Sequence, residues 1–286
     1  MALDVLLALV IAATPVQAHD ALSVRWEPKV VRQGDVAMVF VTGLADARTV
    51  EGSLAGQSLT FFPYGDGYAA LAGIDLEAKP GIVAWRIGVV DARGRPIKAL
   101  GKLTIRGRKF PVQRLTLPKE LVDLDAPTLR RVEEESKRLR TLYAIATPER
   151  LWRGRFTKPV GITDPGDGFG ARRIINGQPR APHAGLDYSA DSGTPVVAAN
   201  AGRVALVAEY FFPGRLVVLD HGLGLYTLYF HLERAEVTEG DRVGRGQPIG
   251  SVGASGRATG PHLHFAAHLR QARVDPAVLL QLRLPE

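Results

Sequence analysis

The run Thr259-Gly260-Pro261-His262-Leu263-His264-Phe265 decides how this chain is read. Histidines at i and i+2 of an extended segment point to one face, while Leu263 and Phe265 fill the opposite face. Gly260-Pro261 ends whatever precedes them. Two imidazoles are thereby delivered to one small volume, an arrangement suited to a metal site or a catalytic centre.

The pair has company. Upstream lies His183-Ala184-Gly185-Leu186-Asp187, a histidine and a carboxylate four apart, and between the two motifs lies Tyr229-Phe230-His231-Leu232. Four of the seven histidines fall in these short apolar-flanked motifs, so the clustering points to shared chemistry. Zinc takes imidazole nitrogen and carboxylate oxygen in tetrahedral sites, and catalytic sites leave one position for water. Two histidines and one aspartate would supply three protein ligands. The segments around the motifs read as strands punctuated by Gly and Asp/Asn: Val196–Ala199, Gly202–Val207, Arg215–Leu219 and Leu225–Tyr229. Ligands carried on neighbouring strands would form a rigid site.

From about Gly161 to Pro276 the sequence resembles the lysostaphin/LytM-type zinc metallopeptidases, which cut peptide bonds in peptidoglycan. The resemblance rests on His183-x-x-x-Asp187, Gly193-Thr194-Pro195-Val196, His221-Gly222, Tyr229-Phe230-His231-Leu232, Gly246-Gln247-Pro248-Ile249-Gly250 and Gly256-Arg257-Ala258-Thr259-Gly260-Pro261-His262-Leu263-His264-Phe265. It covers about two fifths of the chain. It implies a compact antiparallel β-fold with a groove. It also implies that His183, Asp187 and His264 hold zinc, and that His231 and His262 line the water and the substrate carbonyl without binding metal. Zinc lowers the pKa of bound water from about 15.7 to about 7, and a neighbouring N–H donor would share the charge of the tetrahedral oxyanion. Since every functional position of the pattern is occupied, a zinc endopeptidase is expected ahead of a non-catalytic wall-binding protein or an activator of a wall amidase.

The length suits two compact domains, at about 150 residues each. There is no cysteine, which excludes disulfides and thiolate ligands. The net charge is +7. Nucleic acid is not the expected partner, because no basic motif interleaved with aromatics accompanies that charge; an anionic wall or membrane surface suits it better. Leu3–Ala13 followed by Val16-Gln17-Ala18 reads as a signal peptide over residues 1–18, hence a periplasmic or secreted protein. No later segment approaches the ~20 apolar residues of a membrane span. Nothing in the sequence specifies an oligomeric state.

The fold class expected is mainly β. Residues 19–114 form a β-sandwich-like domain, 115–155 a linker with a helix, and 156–280 the zinc peptidase domain. Val36–Val41, Ser58–Phe62 and Gly81–Ile87 are β-rich runs separated by turn signals. They carry no catalytic motif, so the region before Arg114 should be dispensable for bond cleavage, and a fragment starting near Trp152 should fold and bind zinc. Asp125 caps a helix running to about Tyr143, with Pro127 in its first turn and i,i+4 pairs Glu133–Lys137 and Glu134–Arg138. His221 reads as structural, and His19 and His268 as exposed or incidental. Asn176-Gly177 reads as a tight turn, with Asn176 a weaker candidate for the open zinc position. Gly253–Gly260 reads as a groove-lining loop whose glycines admit a peptide backbone.

Overall fold

In a computed structural model of the chain, residues 22–43, 47–161 and 166–283 are described. The expected signal peptide and His19 lie outside them. The architecture is mainly β, with one long helix between two β domains. No helix among the described residues is long and apolar enough to cross a membrane.

The first domain is a sandwich. A four-stranded sheet runs in the order Ser23–Glu27, Val36–Thr42, Gly67–Gly73, Phe61–Tyr64. It faces a five-stranded sheet in the order Val30–Arg32, Pro96–Arg106, Gly81–Val90, Thr49–Leu54, Gln57–Leu59. Strand Val36–Thr42 explains how this domain is used. Ala37, Val39 and Val41 point into the sandwich core. The alternate residues Val36, Met38 and Phe40 point outward, yet they are buried too, in a second core shared with Trp152, Phe156, Phe169 and Leu269 of the C-terminal half. An unbroken apolar run in a strand means that both faces are covered, and here the second cover is the C-terminal β domain.

Polar contacts fix the docking. Arg273 clamps Asp75 through its backbone N–H at 2.9 Å, Nε at 3.0 Å and a terminal nitrogen at 2.7 Å, and it reaches Glu77 at 2.8 Å. Arg108 pairs with Asp275 at 2.7 Å. Burial raises the Asp75 pKa, but the hydrogen bonds from Arg273 outweigh it and the net shift is downward from 3.8. A carboxylate with a depressed folded pKa adds stability above its unfolded pKa and loses it as pH falls. Asp75→Asn should therefore cost about 1–3 kcal/mol near neutral pH. Measured as a melting-temperature gap between wild type and variant, the difference should shrink as pH drops below 3.8. A gap constant with pH would show that the charge does not hold the interface.

The second domain is built on a nine-stranded sheet whose main path is Gly185–Ser189, His262–Leu269, Leu225–Ala235, Gly214–Asp220, Gly202–Tyr210, Arg242–Val243. Helix Ala126–Ala144 packs Leu139, Leu142 and Tyr143 on one face of this sheet. Asp125 caps it, its carboxylate accepting from the Thr128 N–H at 2.9 Å. The ion pairs differ from expectation. Arg131–Glu135 forms at 2.7 Å and Arg138 reaches Glu239 at 3.5 Å. Glu135 is drawn to Arg131 because its other oxygen accepts the Phe211 N–H at 2.9 Å, tying the helix to the turn at residues 211–213.

Candidate metal centre and active-site groove

Register brings the ligating types together. Strand Gly185–Ser189 pairs antiparallel with His262–Leu269, placing Asp187 directly opposite His264. Cross-strand neighbours of this kind have Cβ atoms about 4.5–5.5 Å apart. His183 precedes the first strand and is pinned by backbone bonds to Ala171 and Gly170. Gly168, at φ +89°, lets the chain pass over its ring; a Cβ there would sit 2.4 Å from His183 Nδ1. Phe230 stacks on the His264 ring with centroids 5.2 Å apart and fixes its plane.

The three donor atoms form a small triangle. His183 Nε2 lies 2.8 Å from His264 Nδ1 and 3.0 Å from Asp187 Oδ1, and His264 Nδ1 lies 2.8 Å from the same oxygen. Burial opposes ionisation of Asp187, but hydrogen bonds from His183 and His264 more than reverse it and hold the carboxyl far below its usual range. Burial pushes His264 down to about 4, so its imidazole is neutral at neutral pH. Two imidazole nitrogens and a carboxylate oxygen aimed at one point form a cation site. A tetrahedral zinc with bonds of about 2.0–2.2 Å separates its ligand atoms by roughly 3.3 Å, close to the edges of this triangle. The donor set therefore fits zinc.

His231 and His262 stand beside the triangle, their rings 4.6 Å apart. His231 has φ +63°, a left-handed conformation uncommon for residues other than glycine. It sits where strand Leu225–Ala235 changes partners, after Phe230 pairs with His264 and before Leu232 pairs with Val252. Its Nδ1 lies 2.8 Å from the Ser255 carbonyl, and His262 Nδ1 lies 2.9 Å from the Gly260 carbonyl. A carbonyl only accepts, so both Nδ1 atoms carry hydrogen, and in the neutral form of either ring the lone pair lies on Nε2. Burial, then the neighbouring His264 and His262, push His231 down to about 3.

These five residues line one open groove of about 300 Å³. Its wall includes residues with no catalytic signature: Gln113, Leu115 and Leu117. The strand Val112–Leu115 pairs in parallel with Arg172–Ile175, carrying the linker along the rim. Asn176 secures it. Asn176 and Gly177, at φ +49° and +80°, form the two-residue turn of a hairpin. The Asn176 side chain accepts from the Leu117 N–H and donates to the Leu117 carbonyl, both at 3.0 Å. Asn176 is thus a clasp for the linker, not a zinc ligand. A fragment starting at Trp152 would lose this wall and the apolar cover given by Val36, Met38 and Phe40. On the peptidase activity that the sequence leads one to expect, it should act on soluble peptides at least about tenfold more slowly than the full chain, a cost of about 1.4 kcal/mol in transition-state positioning. Equal rates would show that the wall is dispensable, as the sequence alone suggests.

The remaining histidines among the described residues are structural. His221 is buried, with Nδ1 on the Ala201 carbonyl and Nε2 on the Thr227 hydroxyl, each at 2.7 Å. His268, expected to be exposed or incidental, is half-buried and stacked on Tyr143 at 4.1 Å. In the loop Gly253–Gly260, Gly256 admits the backbone of Gly214, 2.2 Å from where its Cβ would be, so at that position the glycine serves loop packing.

A model of peptidase family M23 matches residues 181–276. Over 95 residues the chain is 42% identical to the peptidoglycan DD-endopeptidase ShyA of Vibrio cholerae, covering 33% of this chain and 22% of that protein. Over 104 residues it is 41% identical to the DD-carboxypeptidase/endopeptidase Mpg of Neisseria meningitidis, covering 36% of this chain and 24% of that protein. The match thus spans about a quarter of the length of these relatives. A crystal structure described as a peptidase M23 from Pseudomonas aeruginosa superposes with a TM-score of 0.65 at 29% identity, covering 88% of this chain and 95% of that one.

Proposed function

From the peptidase family M23 domain that this chain carries, we infer a zinc-dependent endopeptidase that hydrolyses peptide bonds of peptidoglycan. The observation that carries the reading is the triangle of His183, Asp187 and His264 with two further imidazoles beside it in one groove. His183, Asp187 and His264 would hold the metal. Zinc, when bound, supplies a Lewis acid that polarises the scissile carbonyl and acidifies water.

The chain's own residues do the rest. His231 is kept neutral by burial, so its Nε2 lone pair accepts a hydrogen bond from the attacking water and orients it. His262 has 19% of its side chain exposed to the groove. Its Nε2 takes the proton from water and returns it to the leaving amine, acting first as base and then as acid. The hydrogen bonds that the Nδ1 atoms donate to the Ser255 and Gly260 carbonyls keep both rings in the tautomer that this role needs. The groove between Gln113–Leu117 and the turn at residues 211–213 would hold an extended peptide.

Because peptidoglycan lies outside the cytoplasm, the protein would act in the periplasm or after secretion. A wall-binding or amidase-activating role is disfavoured by the complete set of five site residues. Digestion of purified peptidoglycan by the zinc-loaded protein, with mass spectrometry of the released fragments, tests the reading. Fragments opened at a peptide bond are expected. Binding to the wall material without release would favour the non-catalytic role.

A further inference from the structure

The groove holds a guanidinium that the hydrolytic machinery does not use. Arg257 lines the wall that also carries His231, His262 and Asp187. Its backbone N–H is bonded to the Phe212 carbonyl at 3.0 Å, and its guanidinium carbon lies 3.9 Å from the centroid of the Phe212 ring. The side chain is therefore held at both ends, and the ring covers one face of the guanidinium plane. The edge of that plane, with its five N–H donors, meets no carboxylate and no hydrogen-bond acceptor among the described residues.

The surroundings sharpen this. Among the described residues Asp187 is the one acidic residue lining the groove, and its carboxylate is already committed to His183 and His264, with Arg173 3.7 Å away. Arg173 and Arg180 add positive potential toward Arg257 instead of compensating it. Burial first, and then these two cations, push its pKa down to about 10, which still leaves it charged at neutral pH. A partly desolvated cation with open donors and cationic neighbours is stabilised by an incoming anion. A planar fork on a rigid platform matches a carboxylate in two parallel hydrogen bonds.

We propose that Arg257 is a specificity residue that binds a free carboxylate of the substrate peptide, so that the groove selects a bond flanked by a carboxylate over a neutral glycine bridge. The proposal rests on the endopeptidase reading for the identity of the ligand, though not for the presence of an anion subsite. Phe212 is then the platform that aims the guanidinium, and Arg173 and Arg180 attract the same charge from a longer range.

Two synthetic cross-linked peptides test it. They are identical except that the carboxylate on the carbon bearing the scissile nitrogen is free in one and amidated in the other. Turnover is measured on the zinc-loaded full chain, and binding by titration calorimetry on the full chain with His231→Ala. The wild-type site should prefer the free carboxylate by about 10- to 100-fold, the range of a charge-assisted hydrogen bond. Arg257→Met should bring that ratio to about 1 with zinc content unchanged, and Arg257→Lys should retain part of it, since a point charge replaces the fork. A merely structural role would lower both substrates together and leave the ratio intact, which would overturn the proposal. So would a wild-type ratio near 1 in both turnover and binding. A preference in binding without turnover of either peptide would sustain the subsite and overturn the endopeptidase reading.

Discussion

Replacing His264 with alanine should strip the chain of zinc and abolish hydrolysis. The proposed site draws three protein ligands from two paired strands and the segment just before them. Asp187 and His264 face each other across the ladder, and His183 Nε2 closes the triangle at 2.8 and 3.0 Å. Removing one corner leaves a single imidazole and a carboxylate, and the carboxylate then has Arg173 within 3.7 Å as its other cation. Two protein ligands rarely hold zinc stoichiometrically. Elemental analysis of the purified variant should therefore read well below one zinc per chain. A second measurement separates metal loss from misfolding. A ligand that binds only the folded state stabilises it by about 2.7 kcal/mol when present at 100 times its dissociation constant. Wild type should thus melt at lower temperature after chelation, whereas His264→Ala should melt at the same temperature with or without chelator. Stoichiometric zinc in the variant would show that the ligand set is drawn wrongly.

The parts of this site that could be read in the sequence are those written in side-chain chemistry at fixed spacing. His262 and His264 share a face because a strand alternates, and Asp187 follows His183 closely enough to enter the same volume. The groove wall escaped notice because Gln113, Leu115 and Leu117 act through main-chain pairing and apolar contact, which leave no chemical mark. Asn176 was visible as a turn residue, but its grip on Leu117 spans 59 positions and no local pattern encodes it. The docking of the sandwich had a signal of its own. Val36–Val41 is apolar at every position, and a strand with only one covered face would alternate. The helix shows the converse. Glu133–Lys137 and Glu134–Arg138 satisfy the i,i+4 rule, yet long-range contacts to Phe211 and Glu239 decide which charges pair.

Alanine at His231 or His262 should leave the metal in place and lower the rate by about 10²–10⁴-fold, the usual worth of a positioned acid–base group. Neither side chain belongs to the donor triangle: His262 Nε2 is 3.9 Å from Asp187 Oδ1, and the rings of His231 and His264 are 6.1 Å apart. Zinc content should therefore stay near one per chain in both variants. The backbone at His231 supplies a control. Its φ of +63° is costly for any residue with a Cβ, by an amount of order 1–3 kcal/mol, and nearly free for glycine. His231→Gly should consequently be as slow as His231→Ala but melt at a higher temperature. That pairing dissociates rate from stability at one position. It implies that the strained conformation is kept for where it aims the imidazole, since the strand could change partners at lower cost with glycine there. Near-wild-type hydrolysis by either alanine variant would remove that histidine from the mechanism. A His231→Gly variant less stable than His231→Ala would show that the backbone conformation at position 231 carries no strain for a residue with a Cβ.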